Sequence, residues 1–207
     1  MMNWKHLTSL SFIVLTACTP PQAPDAVITS DNQNQALTTA SKVLKTRSAK
    51  NISSWTIIGV VAAKNKKEAW SASLNWKQTG PNNYQLRLYG PLGGGSILIE
   101  KKGGVVTYQD GQKRTTSSNA DDLVYQQTGT RIPIQNLYYW MRGLPAPGAV
   151  QSANYDQAGH LIYLKQAGYT IQYIRYTNKQ GIDLPSKLNV RGAEGNLKLI
   201  VKRWDIR

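Results

Sequence analysis

The chain has 207 residues, 41% of them hydrophobic, with 25 Lys and Arg against 11 Asp and Glu, a net charge of +14 and a single cysteine. That length suits one core of ordinary size with a short appendage, and a lone thiol excludes a disulfide framework. Two histidines leave little for transition-metal ligation or for proton shuttling near neutrality.

Residues 1–6 carry Lys5, residues 7–15 are largely apolar, and Thr16 and Ala17 supply small side chains directly before Cys18. A basic start, a short apolar stretch and a small-residue cleavage point predict a secretory signal over residues 1–17. Its apolar part, about nine residues, falls well short of the roughly 20 that a spanning helix needs. The run Leu15-Thr16-Ala17-Cys18 resembles a bacterial lipobox, which implies that Cys18 is the site of lipid attachment. Thr19, where Asp does not follow, resembles the enterobacterial sorting signal for the outer membrane. Two or three acyl chains would hold the protein on a bilayer lastingly, since one myristoyl chain is already marginal.

Residues 18–34 mix Pro, Gln, Asn, Asp and Thr with few large apolar groups, the composition of a flexible tether. Over residues 36–45, Leu37, Ala40 and Leu44 recur at helical spacing beside Val43, which predicts a short amphipathic helix. From Trp55 the rhythm changes to period two. About eleven short stretches follow, near 55–63, 68–78, 82–89, 95–101, 104–109, 112–117, 149–155, 160–166, 169–177, 185–191 and 196–204, separated by turns such as Asp110-Gly111 and Gly195-Asn196. One interruption breaks the meander. Asn119 suits the N-cap of a helix over 120–127 ended by Gly129, and Ile134, Leu137, Tyr138 and Met141 mark a second helix before Gly143 and Pro145. A sheet of this many strands curls, and each helix must bury its apolar face. The expected fold class is therefore mainly β (α+β): a curved antiparallel sheet of about eleven strands, forming an incomplete barrel with short helices as a lid, in one domain over residues 35–207. Such a body has an interior that can hold an apolar ligand.

Trp55, Trp76, Trp140 and Trp204 fit either plain core or the lining of that interior, and Tyr84, Ile171 and Tyr173 share both readings. Leu86, Leu88, Leu137 and Met141 complete the candidate lining. Asp121 and Asp122 are adjacent, so they do not face each other on a helix; acids at a helix start meet its macrodipole favourably. His160 follows Gly159 in a turn with no nucleophile pattern around it, and Gly93-Gly94-Gly95 lacks the Gly-Lys-Ser/Thr of a phosphate loop. No catalytic residue, metal ligand or cofactor site is expected, and an enzyme is not. Lys64, Lys66, Lys67, Lys101, Lys102, Lys113 and Arg114 cluster near expected strand ends. Export removes nucleic acid as a partner, which leaves anionic lipid head groups, an acidic face of another protein, or a merely solvated surface.

Several motifs occur in a telling order. Trp55-Thr-Ile-Ile-Gly59, Trp70-Ser-Ala-Ser-Leu-Asn-Trp76 and Tyr84-Gln-Leu-Arg-Leu-Tyr-Gly-Pro91-Leu92-Gly93 are followed by Ile132-Pro133-Ile134-Gln-Asn-Leu137-Tyr-Tyr-Trp140-Met-Arg-Gly143, then by Leu184-Pro185 and a last strand ending at Trp204. Together with Cys18 they resemble the LolB family of outer-membrane lipoprotein receptors over most of residues 55–204. The chain departs from the family at Val60, where a basic residue is common, and at Tyr169, where Trp is. The resemblance implies a half-barrel with a helical lid around an apolar cavity. It implies an anchor on the periplasmic face of the outer membrane of a Gram-negative cell. It also implies that the protein accepts the acyl chains of lipoproteins from the soluble carrier LolA and inserts them into the membrane without nucleotide, and a handover of this kind requires only a monomer. By position it makes Pro91, Leu92 and Gly93 the membrane-insertion loop with Leu92 protruding, although a turn with Leu92 folded back on the core fits the same residues. From the residues alone, an adaptor lipoprotein that binds an anionic envelope component through its basic face stays open.

Overall fold

The computed structural model describes residues 48–91 and 95–207. The expected signal at 1–17, Cys18, the tether to residue 34, the helix over 36–45, and Leu92 and Gly93 of the loop lie outside the described residues.

Alternation of large apolar with polar side chains builds eleven strands. They are β1 (Ser54–Asn65), β2 (Ala69–Thr79), β3 (Tyr84–Tyr89), β4 (Ser96–Lys102), β5 (Val105–Asp110), β6 (Lys113–Ser117), β7 (Val150–Tyr155), β8 (Leu161–Gln166), β9 (Tyr169–Lys179), β10 (Ile182–Gly192) and β11 (Gly195–Ile206). Two helices, α1 (Ala120–Thr128) and α2 (Ile134–Trp140), stand between β6 and β7. The strands form one antiparallel sheet in the order β6-β5-β4-β3-β2-β1-β11-β10-β9-β8-β7, so the first and last strands are neighbours at its centre. Twist accumulated over this many strands bends the sheet. The apolar set of β1, led by Trp55, Ile57, Val61 and Ala63, faces the same side as Leu197, Leu199 and Trp204 of β11, and both helices bury their apolar residues against it.

The expected strands are all present, with one difference in extent. β9 and β10 run on to a two-residue hairpin at Gln180 and Gly181, both with left-handed backbone (φ 52° and 79°), which matches the right-handed twist of the strands. Pro185 lies inside β10 rather than at its start. It sits where the register with β9 shifts, between Pro185 and Lys187, so its missing N–H interrupts a ladder that is already broken.

Capping fixes the helices. The Asn119 side-chain oxygen accepts from the backbone N–H groups of Asp121 (3.0 Å) and Asp122 (3.3 Å), and Gly129 closes α1 in left-handed conformation. After α2 the chain turns at Gly143 (φ 72°), where a Cβ would press against the Tyr176 hydroxyl.

Candidate apolar cavity and its helical lid

The inward-facing residues of β1–β4 and β11 meet the apolar side of α2 around a small, wholly apolar void. Its walls are Leu74, Trp76, Leu86, Leu88 and Ile99 from the sheet and Ile132, Ile134 and Leu137 from the lid. The void measures about 30 Å³, room for one or two waters and for no hydrocarbon chain. Above it, at the rim formed by the β1–β2, β3–β4 and β5–β6 turns, lies an open mouth of about 590 Å³. Trp70, Ala72, Leu88, Ile97 and Tyr108 face this mouth from the sheet, the end of α1 with Gln127 and Gly129 borders it, and Pro91 and Gly95 flank it. Trp70 and Leu88 line both spaces and stand between them.

The two helices are held differently. α2 is rooted in the core: the Trp140 indole donates to Gln166 Oε1 (3.0 Å), which also accepts from the Ala146 N–H (2.9 Å) while Gln166 Nε2 donates to the Ala146 carbonyl (2.7 Å). Trp140 and Met141 are fully buried. α1 is fastened at the surface. Asn65 Nδ2 donates to the Gly129 carbonyl (3.2 Å), and Arg131 bridges Asp122 (3.3 Å) and Glu194 (3.5 Å) while its guanidinium covers the Tyr125 ring. Exposed pairs of this kind contribute about 0–1 kcal/mol each, and the larger part of what holds α1 is the burial of Ala120, Leu123 and Val124 in the core.

Asp121 joins the two helices by accepting the Ile134 N–H at 3.1 Å. Burial raises its carboxyl above the ordinary value of 3.8, against the lowering effect of the Ile134 N–H and of Arg131. A carboxyl whose pKa is higher in the folded chain binds its proton more tightly there, so its contribution to stability falls as pH rises through that raised pKa. Asp121→Asn keeps an oxygen for Ile134 and removes the charge. The variant is expected to be at least as stable as the parent at pH 7 and to show a flatter stability profile as pH rises above the ordinary carboxylate range. Urea titrations over that rise check this, and a constant gap between the two proteins would exclude the coupling.

Of the residues singled out as lining, the structure brings Trp76, Leu86, Leu88 and Leu137 together on the void. Trp55 lies in the same core but not on it, edge-on to Trp76 (5.0 Å between ring centroids) and Trp204 (5.4 Å). Tyr84, Trp140, Met141, Ile171 and Tyr173 are buried elsewhere in the core. Burial raises the phenols of Tyr84 and Tyr173 far above the usual range, and among the described residues neither hydroxyl has a hydrogen-bond partner. Pro91 is exposed at the mouth. His160 stands between Asp156 (2.9 Å) and Asp183 (3.0 Å) and stacks on Tyr176, at the far end of the half-barrel from the mouth. Trp70 was missed as a lining residue, although Trp70, Ala72, Leu74 and Trp76 form one period-two set on the inner face.

An open antiparallel half-barrel, apolar on its concave side and covered there by two helices, is the class that this geometry defines. A family profile described as "Outer membrane lipoprotein LolB" matches residues 53–204. The outer-membrane lipoprotein LolB of Coxiella burnetii (strain RSA 493 / Nine Mile phase I) is 37% identical over 154 residues, 74% of this chain and 72% of that one. Its counterpart in Pseudomonas paraeruginosa (strain DSM 24068 / PA7) is 34% identical over 157 residues, 75% of this chain and 76% of that one. The chain belongs to the LolB family of outer-membrane lipoproteins. Among solved structures, a DUF1329 family protein from Desulfovibrio piger shares the fold with a TM-score of 0.52 at 8% identity, over 82% of this chain and 92% of that one.

Proposed function

We propose that this protein is a receptor anchored in the outer membrane through acylated Cys18, at the end of a tether over residues 18–34, after removal of a signal at 1–17. It accepts lipoproteins from a periplasmic carrier of the LolA kind by taking their acyl chains into the half-barrel, and passes them to the membrane. The observation that carries this reading is the apolar void beneath the two-helix lid, beside a wide mouth at the rim. Three long acyl chains cannot cross water free, since each CH₂ exposed costs about 0.8 kcal/mol. Lifting α1 while α2 stays rooted by Trp140 and Gln166 joins the apolar void to the mouth as one trough. Chains then move toward whichever site binds them better, and differential affinity replaces nucleotide. Trp76, Leu86, Leu88 and Leu137 would meet the chains first, with Trp55, Tyr84, Trp140, Met141, Ile171 and Tyr173 forming the surrounding wall.

The test mixes the unacylated domain with a carrier loaded with one labelled lipoprotein, without nucleotide. Movement of the label to this protein supports the reading; retention on the carrier refutes it and favours the adaptor alternative. Leu92 is proposed to enter the lipid at release. Leu92→Glu is expected to accept label normally and to deliver it to vesicles at least about tenfold more slowly, the loss of a buried leucine's roughly 1.5–3 kcal/mol. Delivery at the parent rate would remove the loop from the mechanism.

A further inference from the structure

The same rim carries a second concavity on the opposite face of the sheet. A cleft of about 840 Å³ lies over the ends of β1, β2, β9, β10 and β11, and its lining sets three cations and several amides among small and apolar side chains such as Ala62, Ala69 and Pro91. Lys64, Arg191 and Lys198 line it with the amides of Gln172, Asn189 and Asn196. The register fixes their arrangement. Lys64 and Arg191 each stand opposite Asn196 from the two flanking strands, and Lys198 stands opposite both Ala62 and Asn189. Lys198 is thus diagonal to both other cations on one face, at about 7–8 Å, while Lys64 and Arg191 are two strand spacings apart, about 10 Å. Like charges this close on a sheet face disfavour one another.

No carboxylate lines the cleft among the described residues. The acids of this rim are turned the other way: Glu68, near Gly129, and Asp110 line the inner mouth, and Glu194 pairs with Arg131 of the lid segment. Lys66 and Lys67, exposed in the β1–β2 turn, add to the positive edge. Three cations and several amides within one concavity suit a group with several anionic oxygens, the guanidinium as a two-pronged donor and the ammonium groups as point charges. Pro91, the last described residue before the 92–94 loop, lines this cleft as well as the mouth.

We propose that this cleft is a phosphate-recognising site that seats the mouth rim on the head groups of anionic phospholipids. The proposal rests on the functional reading above only for the presence of a bilayer. A head group held on the outward face would fix the rim against the membrane and leave the inner mouth clear for an incoming carrier.

The chain from residue 19 onward, unacylated, is titrated with vesicles of phosphatidylcholine alone and with phosphatidylglycerol added. Each basic residue near a charged surface contributes about fivefold to binding, so neutralising three, as Lys64→Gln, Arg191→Gln and Lys198→Gln together, is expected to weaken binding to the anionic vesicles about a hundredfold. A control neutralises the exposed Lys77, Lys102 and Lys202, outside the cleft, and is expected to lose far less. Equal losses in the two variants, or no preference of the parent for anionic vesicles, overturn the proposal. Inorganic phosphate binding without vesicle binding overturns the lipid as occupant. Label transfer from the carrier should be unchanged in the cleft variant. If the parent accepts no label yet binds vesicles through the cleft, the receptor reading fails and this one stands.

Discussion

Arg142→Met is expected to lower stability by about 3 kcal/mol, and the melting temperature by roughly 6–12 °C. The Arg142 side chain is buried, 4% exposed, between α2 and the residues that precede β1. Its Nε donates to the Tyr138 carbonyl (3.0 Å), its Nη1 to the carbonyls of Ala49 and Ile52, and its plane lies over the Tyr138 ring at 4.0 Å. Burial pulls the guanidinium below its ordinary value, against the Tyr138 and Tyr139 phenols that face it, yet an arginine remains charged at neutral pH. Methionine fills much of the space and withdraws the guanidinium from three carbonyls, of which that of Ala49 keeps only the Ile52 N–H. Arg142→Lys should recover part of the loss, because an ammonium keeps the charge but cannot fork or stack in the same way. Thermal melts followed by circular dichroism measure both variants. Hydrogen exchange should show residues 48–52 loosening first in Arg142→Met; melting within 2 °C of the parent would mean that Arg142 is not the clamp.

A comparable loss is expected from one methyl group in the middle of the sheet. Gly59 lies where the β1–β11 register shifts, and a Cβ there would run into the carbonyl oxygen of Ile200. That obstacle is backbone of the neighbouring strand, so relief requires the central seam of the sheet to part. Gly59→Ala is expected to cost about 3 kcal/mol or more, the upper end of overpacking effects, read as a lower urea midpoint. Gly104→Ala, in the β4–β5 turn with open space around it, should stay within about 0.5 kcal/mol. A Gly59→Ala protein as stable as the Gly104→Ala one would show that the seam yields.

The strands were legible because half-buried sheet imposes a period of two, and Tyr84-Gln-Leu86-Arg-Leu88 displays it without tertiary information. The helices were legible from Asn119, Gly129 and the spacing of Ile134, Leu137 and Met141. Arg142 was not. It reads as one more base in a basic chain, and its burial is decided by carbonyls 90 and 93 residues away. Gln166 is similar: a polar residue at an inward position of β8, explained only by the Trp140 indole and the Ala146 backbone that it joins. The candidate lining was legible as an inward face, but not the place where space remains on it. How far α2 settles into the curve of the sheet depends on side chains from both, so a void of about 30 Å³ beside Trp76 and Leu137 has no signature along the chain. The outward cleft is a matter of register, which brings Lys64, far away in sequence, beside Arg191 and Lys198 around Asn196.

The pairing of Trp55 with Ile206 also constrains the order in which the protein can assemble. A chain emerging amino end first can zip β1–β6 together by hairpins, and later β7–β10, but each of these blocks keeps one long bare edge until β11 arrives to join them. Such edges recruit other strands indiscriminately, and closure across the whole chain is slow. The central ladder is therefore the last part of the sheet to be completed, and a nascent chain stopped a dozen residues short would be two incomplete sheets rather than a slightly shorter one.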